Sequence, residues 1–261
     1  MRVFAGPNGS GKSSVINYIR TQKVNGHLID FGYYINADDI AGALLKDGVF
    51  LFQKFELIIN NKEFQDRAIA SGLINKDFNL EQFKTCYTFS DNAIKLKLKA
   101  AKKIGIDNPD ERIAQIIADF LRNKLLLEKK KFSFETVFSH PGKLDIMKQA
   151  IAAGYKVYLY FVSTASSEIN KYRVEARKTK GGHDVPKDKI DSRYLRSMEL
   201  LYEASQLAYQ AFYFDNSLEG KEFTMFAHFK KTGAKKKWDK IDPKTIPGWF
   251  IQYYLNKQGK E

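Results

Sequence analysis

A glycine-rich run near the start of the chain has the residue types that bind phosphate. Residues 6–13 read G-P-N-G-S-G-K-S. Glycine permits backbone conformations that are closed to residues with a Cβ, so successive N–H groups can turn inward around phosphate oxygens. Lys12 would then reach the β- and γ-phosphates, and Ser13 would bring its hydroxyl to Mg²⁺. The run predicts a loop that grips a nucleoside triphosphate.

The sequence on both sides of this loop fits the same interpretation. Residues 1–5 predict a short strand, and residues 13–20 predict an amphipathic helix whose positive end points at the anion. An ordinary Gly/Ser turn is the alternative, and the loop alone does not distinguish a kinase from an ATPase, a GTPase or a motor. The predicted nucleotide-binding residues are Gly6, Asn8, Gly9, Ser10, Gly11, Lys12, Ser13 and Ser14.

Acidic residues lie at or just after the ends of two of the predicted strands, where open α/β sheets bind their ligands. Asp38, in I-N-A-D-D-I, can accept a proton from a substrate hydroxyl that attacks the γ-phosphorus, while Asp39 is a candidate helix N-cap. Glu135, in F-S-F-E-T, can hold Mg²⁺ through water or hydrogen-bond a substrate sugar or amide. A plain cap for either aspartate and a surface position for Glu135 stay open.

Arginines recur on two predicted helices around a glycine pair at 181–182. Arg173 and Arg177 share a helix face at i, i+4 spacing, and Arg193 and Arg196 do so at i, i+3. Two helices joined by glycines predict a lid whose arginines clamp the charge on a transferring phosphoryl group. Charge on solvated helices is the alternative. The motif F-D-N-S at 214–217 predicts either a loop against adenine or a turn closed by its own side chains.

Alternating strand and helix signals predict an α/β fold with a mostly parallel sheet flanked by helices. The predicted strands are residues 2–5, 33–36, 132–137, 156–162 and 212–215. The clearest predicted helices are residues 142–153, 167–178 and 187–209. We expect residues 1–261 to form a single domain of the P-loop NTPase and kinase fold.

Residues 46–110 differ from their flanks, because they are polar, Lys-rich and without a strong strand signal. A compact α/β unit seldom needs so long a connection. We interpret this segment as a helical insertion, either a lid or a partner-binding appendage; helices that merely cover the sheet are the alternative. The basic segment H-F-K-K-T-G-A-K-K-K-W-D-K is interpreted as a solvated tail, or as a contact for acidic material.

Composition limits the classes of protein that this chain can belong to. The 261 residues are 44% hydrophobic and 14% aromatic, which is ample for a packed core. The net charge of +13 suits anionic substrates or nucleic acid, but no nucleic-acid motif accompanies it. Cys86 is the single cysteine, which excludes an internal disulfide and favours a cytoplasmic location. We expect no membrane segment, no signal peptide before Gly6, and a soluble protein.

The order of these motifs resembles the zeta-toxin-like P-loop kinases. That family includes toxins of toxin–antitoxin pairs that phosphorylate UDP-N-acetylglucosamine. The resemblance covers roughly residues 1–45 and 110–220, and G-G-H-D-V-P with its flanking arginines is the most family-specific part. It implies a kinase that uses ATP or GTP with Mg²⁺, either with a separate antitoxin polypeptide as a partner or, as many chromosomal relatives look, as a stand-alone kinase.

The resemblance also implies roles for individual residues. Lys12 and its loop hold the phosphates, and Asp38 activates the acceptor hydroxyl. Glu135 and Thr136 lie where the family places substrate contacts. Arg177 and Arg193 match the lid arginines that neutralise transition-state charge, with Arg173 as the alternative to Arg177.

The long 46–110 segment departs from the family pattern, so the acceptor is less defined than the donor. We expect a small anionic metabolite, with UDP-N-acetylglucosamine as the leading candidate. Two other functions fit the same loop. One is a nucleotide-gated module that binds nucleic acid, with salt-dependent affinity. The other is a polynucleotide 5′-hydroxyl kinase.

Overall fold

The computed structural model describes residues 1–179, 185–233 and 235–258. Within these ranges the strands are β1 (Arg2–Ala5), β2 (Lys23–Val24), β3 (His27–Leu28), β4 (Tyr33–Ile35), β5 (Val49–Leu51), β6 (Tyr87–Ser90), β7 (Ala93–Leu96), β8 (Phe132–Thr136), β9 (Tyr158–Ser163), β10 (Gln210–Asp215), β11 (Thr224–Thr232) and β12 (Lys235–Trp238).

The α-helices of the same ranges are α1 (Lys12–Thr21), α2 (Ala37–Asp47), α3 (Asn61–Ala70), α4 (Leu80–Cys86), α5 (Leu98–Lys103), α6 (Pro109–Leu127), α7 (Gly142–Ala152), α8 (Ser167–Lys178), α9 (Lys187–Glu199), α10 (Leu201–Leu207) and α11 (Gly248–Tyr253). None of these helices is both long and apolar enough to cross a membrane.

The chain divides into two compact units, Met1–Gly32 with Lys131–Glu261, and Tyr33–Lys130. The first unit is built on a sheet in which β8, β1, β9 and β10 lie side by side in parallel. The strands β11 and β12 extend this sheet beyond β10 in antiparallel order. The helix α1 packs against β1, and α10 packs against β9. The predicted α/β fold with a mostly parallel sheet is therefore confirmed.

All the strands predicted from the sequence are present, with ends that differ by at most two residues. The predicted helix at 187–209 is instead interrupted at Leu200, where α9 ends and α10 begins. The prediction of a basic tail is wrong for most of that segment. Its residues form β11 and β12, and Trp238 packs against Phe229 with ring centroids 4.9 Å apart. Aromatic burial holds this lysine-rich hairpin on the sheet.

Stacked aromatic rings on neighbouring strands of the first unit fix the register of the sheet. Phe4 on β1 stacks on Tyr160 of β9 at 4.7 Å, and Tyr160 stacks on Phe212 of β10 at 4.8 Å. These residues are also register partners in the strand pairing. Because a shift of one residue would move each ring to the opposite face, the stack fixes where the strands end. The stack therefore also fixes the position at which β1 ends and the glycine-rich loop begins.

The second unit contains helices, as predicted for residues 46–110, and also strands that the sequence did not predict. In it β5, β7 and β6 pair antiparallel. Its core is aromatic: Phe52 and Phe64 are fully buried and both contact the ring of Phe120 on α6. The strands are short and lie within polar sequence, so their pairing depends on this packing more than on local propensity. The interpretation of 46–110 as an insertion stays a prediction.

Candidate functional site

The glycine-rich loop connects the end of β1 at Ala5 to the start of α1 at Lys12. Gly6, Gly9 and Gly11 have φ values of 146°, 77° and 94°, a region that residues with a Cβ rarely adopt. Gly11 is the N-cap of α1 and has no side chain to cap the helix. Because no side chain caps α1, an anion can bind at the positive end of this helix.

Each of these three glycines also lies against another part of the first unit. A Cβ on Gly6 would lie 2.0 Å from the Val162 carbonyl oxygen, and one on Gly9 would lie 2.6 Å from the Asn170 carbonyl oxygen. A Cβ on Gly11 would lie 2.2 Å from Nδ2 of Asn216. The sequence predicted the backbone conformation of the glycines but not these close approaches, because the three neighbours are distant in the chain.

The close approach at Gly6 predicts a specific loss of stability. Gly26 has φ 80° and, among the described residues, no atom lies within 4 Å of the point that a Cβ would occupy, so Gly26→Ala tests strain alone. We expect Gly26→Ala to lower the free energy of unfolding by about 1–2 kcal/mol. Gly6→Ala adds a collision with backbone, and we expect a loss of about 3 kcal/mol or more. Urea unfolding of both variants measures the difference, and equal losses would contradict the packing described here.

Polar side chains of the loop are buried without a partner. Asn8 Oδ1 and Ser10 Oγ are each shielded from solvent and, among the described residues, accept or donate no hydrogen bond. Buried polar atoms in native proteins are nearly always paired, so such atoms indicate a position where a ligand or water completes the site. Ser13 and Ser14, at the start of α1, are instead exposed. Of the two buried atoms, only the Ser10 hydroxyl can donate a hydrogen bond to an anion, because Asn8 Oδ1 is an acceptor.

Lys12 is already held at the loop. Its ammonium group donates to the carbonyl oxygen of Pro7 at 3.0 Å and lies 3.8 Å from Oε1 of Glu135. The residue is only 7% exposed. Glu135 reaches it because β1 and β8 are parallel neighbours, with Phe4 opposite Glu135. The structure therefore places Glu135 beside Lys12 of the loop. Contacts of Glu135 with a substrate or Mg²⁺ stay predictions.

The turn after β8 is strained. Thr136 ends the strand opposite Ala5, and its hydroxyl accepts a hydrogen bond from the Phe138 N–H at 3.2 Å. Phe138 is fully buried with φ 59°, which is unusual for a large side chain. Backbone strain of this kind persists only where the surroundings enforce it, and it concentrates at functional sites. The strained turn directly follows Glu135 and Thr136, which were predicted to contact the substrate.

Asp38 and Asp39 lie in the second unit, in the first turn of α2, and both are exposed. The N-cap of this helix is Asn36, whose side-chain oxygen accepts a hydrogen bond from the Asp38 N–H at 2.9 Å. The alternative in which an aspartate caps the helix is therefore wrong. The role of Asp38 as a base stays a prediction.

The helices α8 and α9 pack together. Lys171 on α8 lies 3.1 Å from Oδ1 of Asp191 on α9. Hydrogen bonds from Ser167 and then from Lys171 lower the pKa of Asp191. Val174 and Ile190 are buried in a small cluster between the helices. The glycine pair at 181–182 lies outside the described residues, so its part in the lid prediction stays untested.

The predicted lid arginines differ in their surroundings. Arg177 is exposed near the end of α8, and Arg193 is half-buried on α9. Arg196 donates to the Ser192 carbonyl of its own helix at 3.1 Å. Arg173 donates from Nη1 to the Asn216 carbonyl oxygen at 2.7 Å, so it is engaged with the segment that follows β10. Arg173 therefore contacts the segment after β10, and the roles of Arg177 and Arg193 at a phosphoryl group stay predictions.

The segment after β10 forms the turn that the sequence offered as one of two interpretations. Asp215 accepts a hydrogen bond from the Ser217 hydroxyl at 2.6 Å and another from the Trp249 indole N–H at 2.8 Å. These bonds fix the turn from both sides. A contact with adenine stays a prediction. Sequence reasoning missed the approach of Asn216 to the loop, for which an asparagine directly after a strand end was the available signal.

Over the described ranges, His, Cys, Asp and Glu do not form a group of three or more that could hold a metal ion. In phosphate-binding loops of this kind Mg²⁺ is held by the loop hydroxyl, water and the phosphates, so a protein cage is not required. The prediction for Mg²⁺ therefore depends on Ser13. Its exposed hydroxyl at the start of α1 fits that role.

The fold and loop define the chain as an α/β protein with a glycine-rich loop between its first strand and its first helix. No protein-family model matches the chain, and no curated protein matches it. Similar solved structures include AvrRxo1-ORF1:-ORF2 with ATP, at 14% identity and a TM-score of 0.46. The AvrRxo1-ORF1:AvrRxo1-ORF2 structure with sulphate ions is 16% identical, with a TM-score of 0.44. Both matches cover 90% of this chain and 59% of the other chain.

A further match is a structure from the PezAT chromosomal toxin–antitoxin system of Streptococcus pneumoniae. It is 12% identical, with a TM-score of 0.41, and the match covers 83% of this chain and 68% of that chain. This chain thus spans 59% of the length of the matched chains in the AvrRxo1 structures. Identities and TM-scores this low carry no argument about activity.

Proposed function

We propose that the protein is a kinase that transfers the γ-phosphate of ATP or GTP to a hydroxyl of a small anionic metabolite. UDP-N-acetylglucosamine is the leading candidate for the acceptor. The observation that carries the proposal is the glycine-rich loop, with its left-handed glycines, uncapped helix start and a lysine held beside it. These parts together are suited to binding a phosphate chain.

The donor end of the proposed site is largely pre-organised. The Lys12 ammonium group is fixed by a carbonyl and a carboxylate at the loop, so little side-chain freedom is lost when it meets a phosphate. Ser13 would hold Mg²⁺, which neutralises charge on the phosphates when it is bound. The unpaired hydroxyl of Ser10 would add a hydrogen-bond donor to the polar lining.

The acceptor end of the proposal comes from the sequence. Asp38 would accept the proton of the attacking hydroxyl, and its exposed carboxylate is not used as a helix cap. Glu135 and Thr136 would contact the acceptor. Arg177 and Arg193 would stabilise the charge that spreads over the transferring phosphoryl group. A separate antitoxin polypeptide is part of this proposal.

A panel of acceptors tests the proposed reaction. The protein is incubated with ATP or GTP, Mg²⁺ and, in separate reactions, UDP-sugars, nucleosides or 5′-hydroxyl oligonucleotides, and products are identified by mass. We expect one phosphoryl group to be added to a UDP-sugar, and no product when Mg²⁺ is omitted. Phosphorylated oligonucleotide would instead identify a polynucleotide kinase. Nucleotide hydrolysis without any phosphorylated acceptor would contradict the proposal.

A further inference from the structure

The side chain of Asn216 reaches the glycine-rich loop from the end of β10. Its Nδ2 donates a hydrogen bond to the Ser10 carbonyl oxygen at 2.9 Å. A Cβ on Gly11 would lie 2.2 Å from the same nitrogen. The amide therefore contacts both residues that precede Lys12, and it requires glycine at position 11.

Asn216 is itself held by its two backbone groups. Its N–H donates to the Ser163 carbonyl oxygen at the end of β9, at 2.9 Å. Its carbonyl oxygen accepts a hydrogen bond from Arg173 Nη1 at 2.7 Å, and Arg173 Nη2 lies 3.4 Å from the Leu218 carbonyl oxygen. Hydrogen bonds from a charged guanidinium are among the stronger ones in proteins. The position of the Asn216 side chain is thus fixed by the sheet and by α8.

The helix α8 also contacts the loop directly, one turn before Arg173. A Cβ on Gly9 would lie 2.6 Å from the Asn170 carbonyl oxygen. Asn170 is fully buried, and its side-chain oxygen accepts a hydrogen bond from the Thr164 hydroxyl at 2.7 Å. The loop is therefore supported by α8 at Gly9 and, through Asn216, at Ser10 and Gly11.

The Asn216 contact affects anion binding through the geometry of the peptide bond between Ser10 and Gly11. In a trans peptide the carbonyl of one residue and the N–H of the next point in opposite directions. Because Asn216 holds the Ser10 carbonyl on its own side, the Gly11 N–H is turned the other way. A carbonyl that pointed into the loop would repel phosphate oxygens, whereas an N–H attracts them.

We infer that Asn216 is a positioning residue that holds the glycine-rich loop in its anion-binding conformation, with Arg173 as its support. This inference rests on the proposed function, because it concerns the binding of the nucleotide phosphates. Asn216 does not touch the phosphates in this role. It sets the direction of the peptide that does.

Exchanging the Asn216 amide for a carboxylate tests the inference. Asn216→Asp keeps the shape of the side chain but places an oxygen, with negative charge, against the Ser10 carbonyl. At about pH 7.5 we expect ATP with Mg²⁺ to bind roughly tenfold to a hundredfold more weakly than to the wild type, by isothermal titration. Asn216→Gln keeps an amide donor, so its affinity for ATP should recover toward that of the wild type when compared with Asn216→Asp. A purely structural defect would not recover in this way.

Further variants keep the test decisive. Asn256→Ala, an exposed asparagine of the same unit, should bind ATP as the wild type does. If Asn216→Asp does not fold, Arg173→Met removes the support while keeping the aliphatic stem, and it should also weaken ATP binding. Wild-type affinity in Asn216→Asp, or in Arg173→Met where Asn216→Asp does not fold, would overturn the inference alone. Absence of ATP binding by the wild-type protein would instead contradict the proposed function, and the inference with it.

Discussion

Lys12→Ala should remove nearly all phosphoryl transfer, with kcat/KM lowered by about a thousandfold or more. The ammonium group is held at the loop by the Pro7 carbonyl and lies 3.8 Å from Glu135. No other side chain of the motif G-P-N-G-S-G-K-S carries a positive charge that could replace it. The measurement is the initial rate of acceptor phosphorylation at several ATP concentrations.

Lys23→Ala is the matched control for this prediction, because Lys23 is exposed on β2 of the same unit. It should leave the rate unchanged. Thermal unfolding of both variants separates loss of chemistry from loss of fold. A folded Lys12→Ala protein that kept more than about a tenth of the wild-type kcat/KM would show that the loop does not bind the transferred phosphate.

Asp38→Asn should retain ATP binding and lose transfer, with kcat lowered by about a hundredfold to ten-thousandfold. Asparagine has the same shape but cannot accept a proton from the attacking hydroxyl. The helix α2 should be unaffected, because its cap is the side chain of Asn36, and the bond to that cap comes from the Asp38 backbone. Rates with the identified acceptor and the ATP affinity are measured on the same preparation.

The neighbouring residue supplies the control for this substitution. Asp39→Asn removes an equal charge from the same exposed helix turn. We expect it to keep the transfer rate within about threefold of the wild type. If Asp38→Asn transferred phosphate at the wild-type rate, Asp38 would not be the base. A loss from Asp39→Asn alone would assign that role to Asp39.

Local sequence predicted much of the fold because strands and helices depend on short-range patterns. The strand at Arg2–Ala5, the helix at Ser167–Lys178 and the glycines with left-handed φ were all predictable in this way. The hairpin of β11 and β12 was not predictable, because its lysines indicate a solvated segment. Its place in the sheet depends on aromatic contacts such as Tyr213 with Trp238, at 6.0 Å between ring centroids.

The candidate site shows the same division between local and long-range information. The loop and the candidate residues Lys12 and Glu135 could be proposed from residue types, but their approach to 3.8 Å needs the pairing of β1 with β8. The contact between Asn216 and Ser10 joins residues that are 206 positions apart. No spacing rule links such positions, so only the folded chain shows that Asn216 supports the loop.

Nucleotide titration of the wild-type protein tests the central claim most directly. ATP, GTP and adenosine are titrated in the presence of Mg²⁺, because the loop is proposed to bind phosphates rather than a base. We expect ATP or GTP to bind, and adenosine to bind at least about a hundredfold more weakly than the better triphosphate. Equal affinities for ATP and adenosine, or no binding of either triphosphate, would contradict the assignment of the loop.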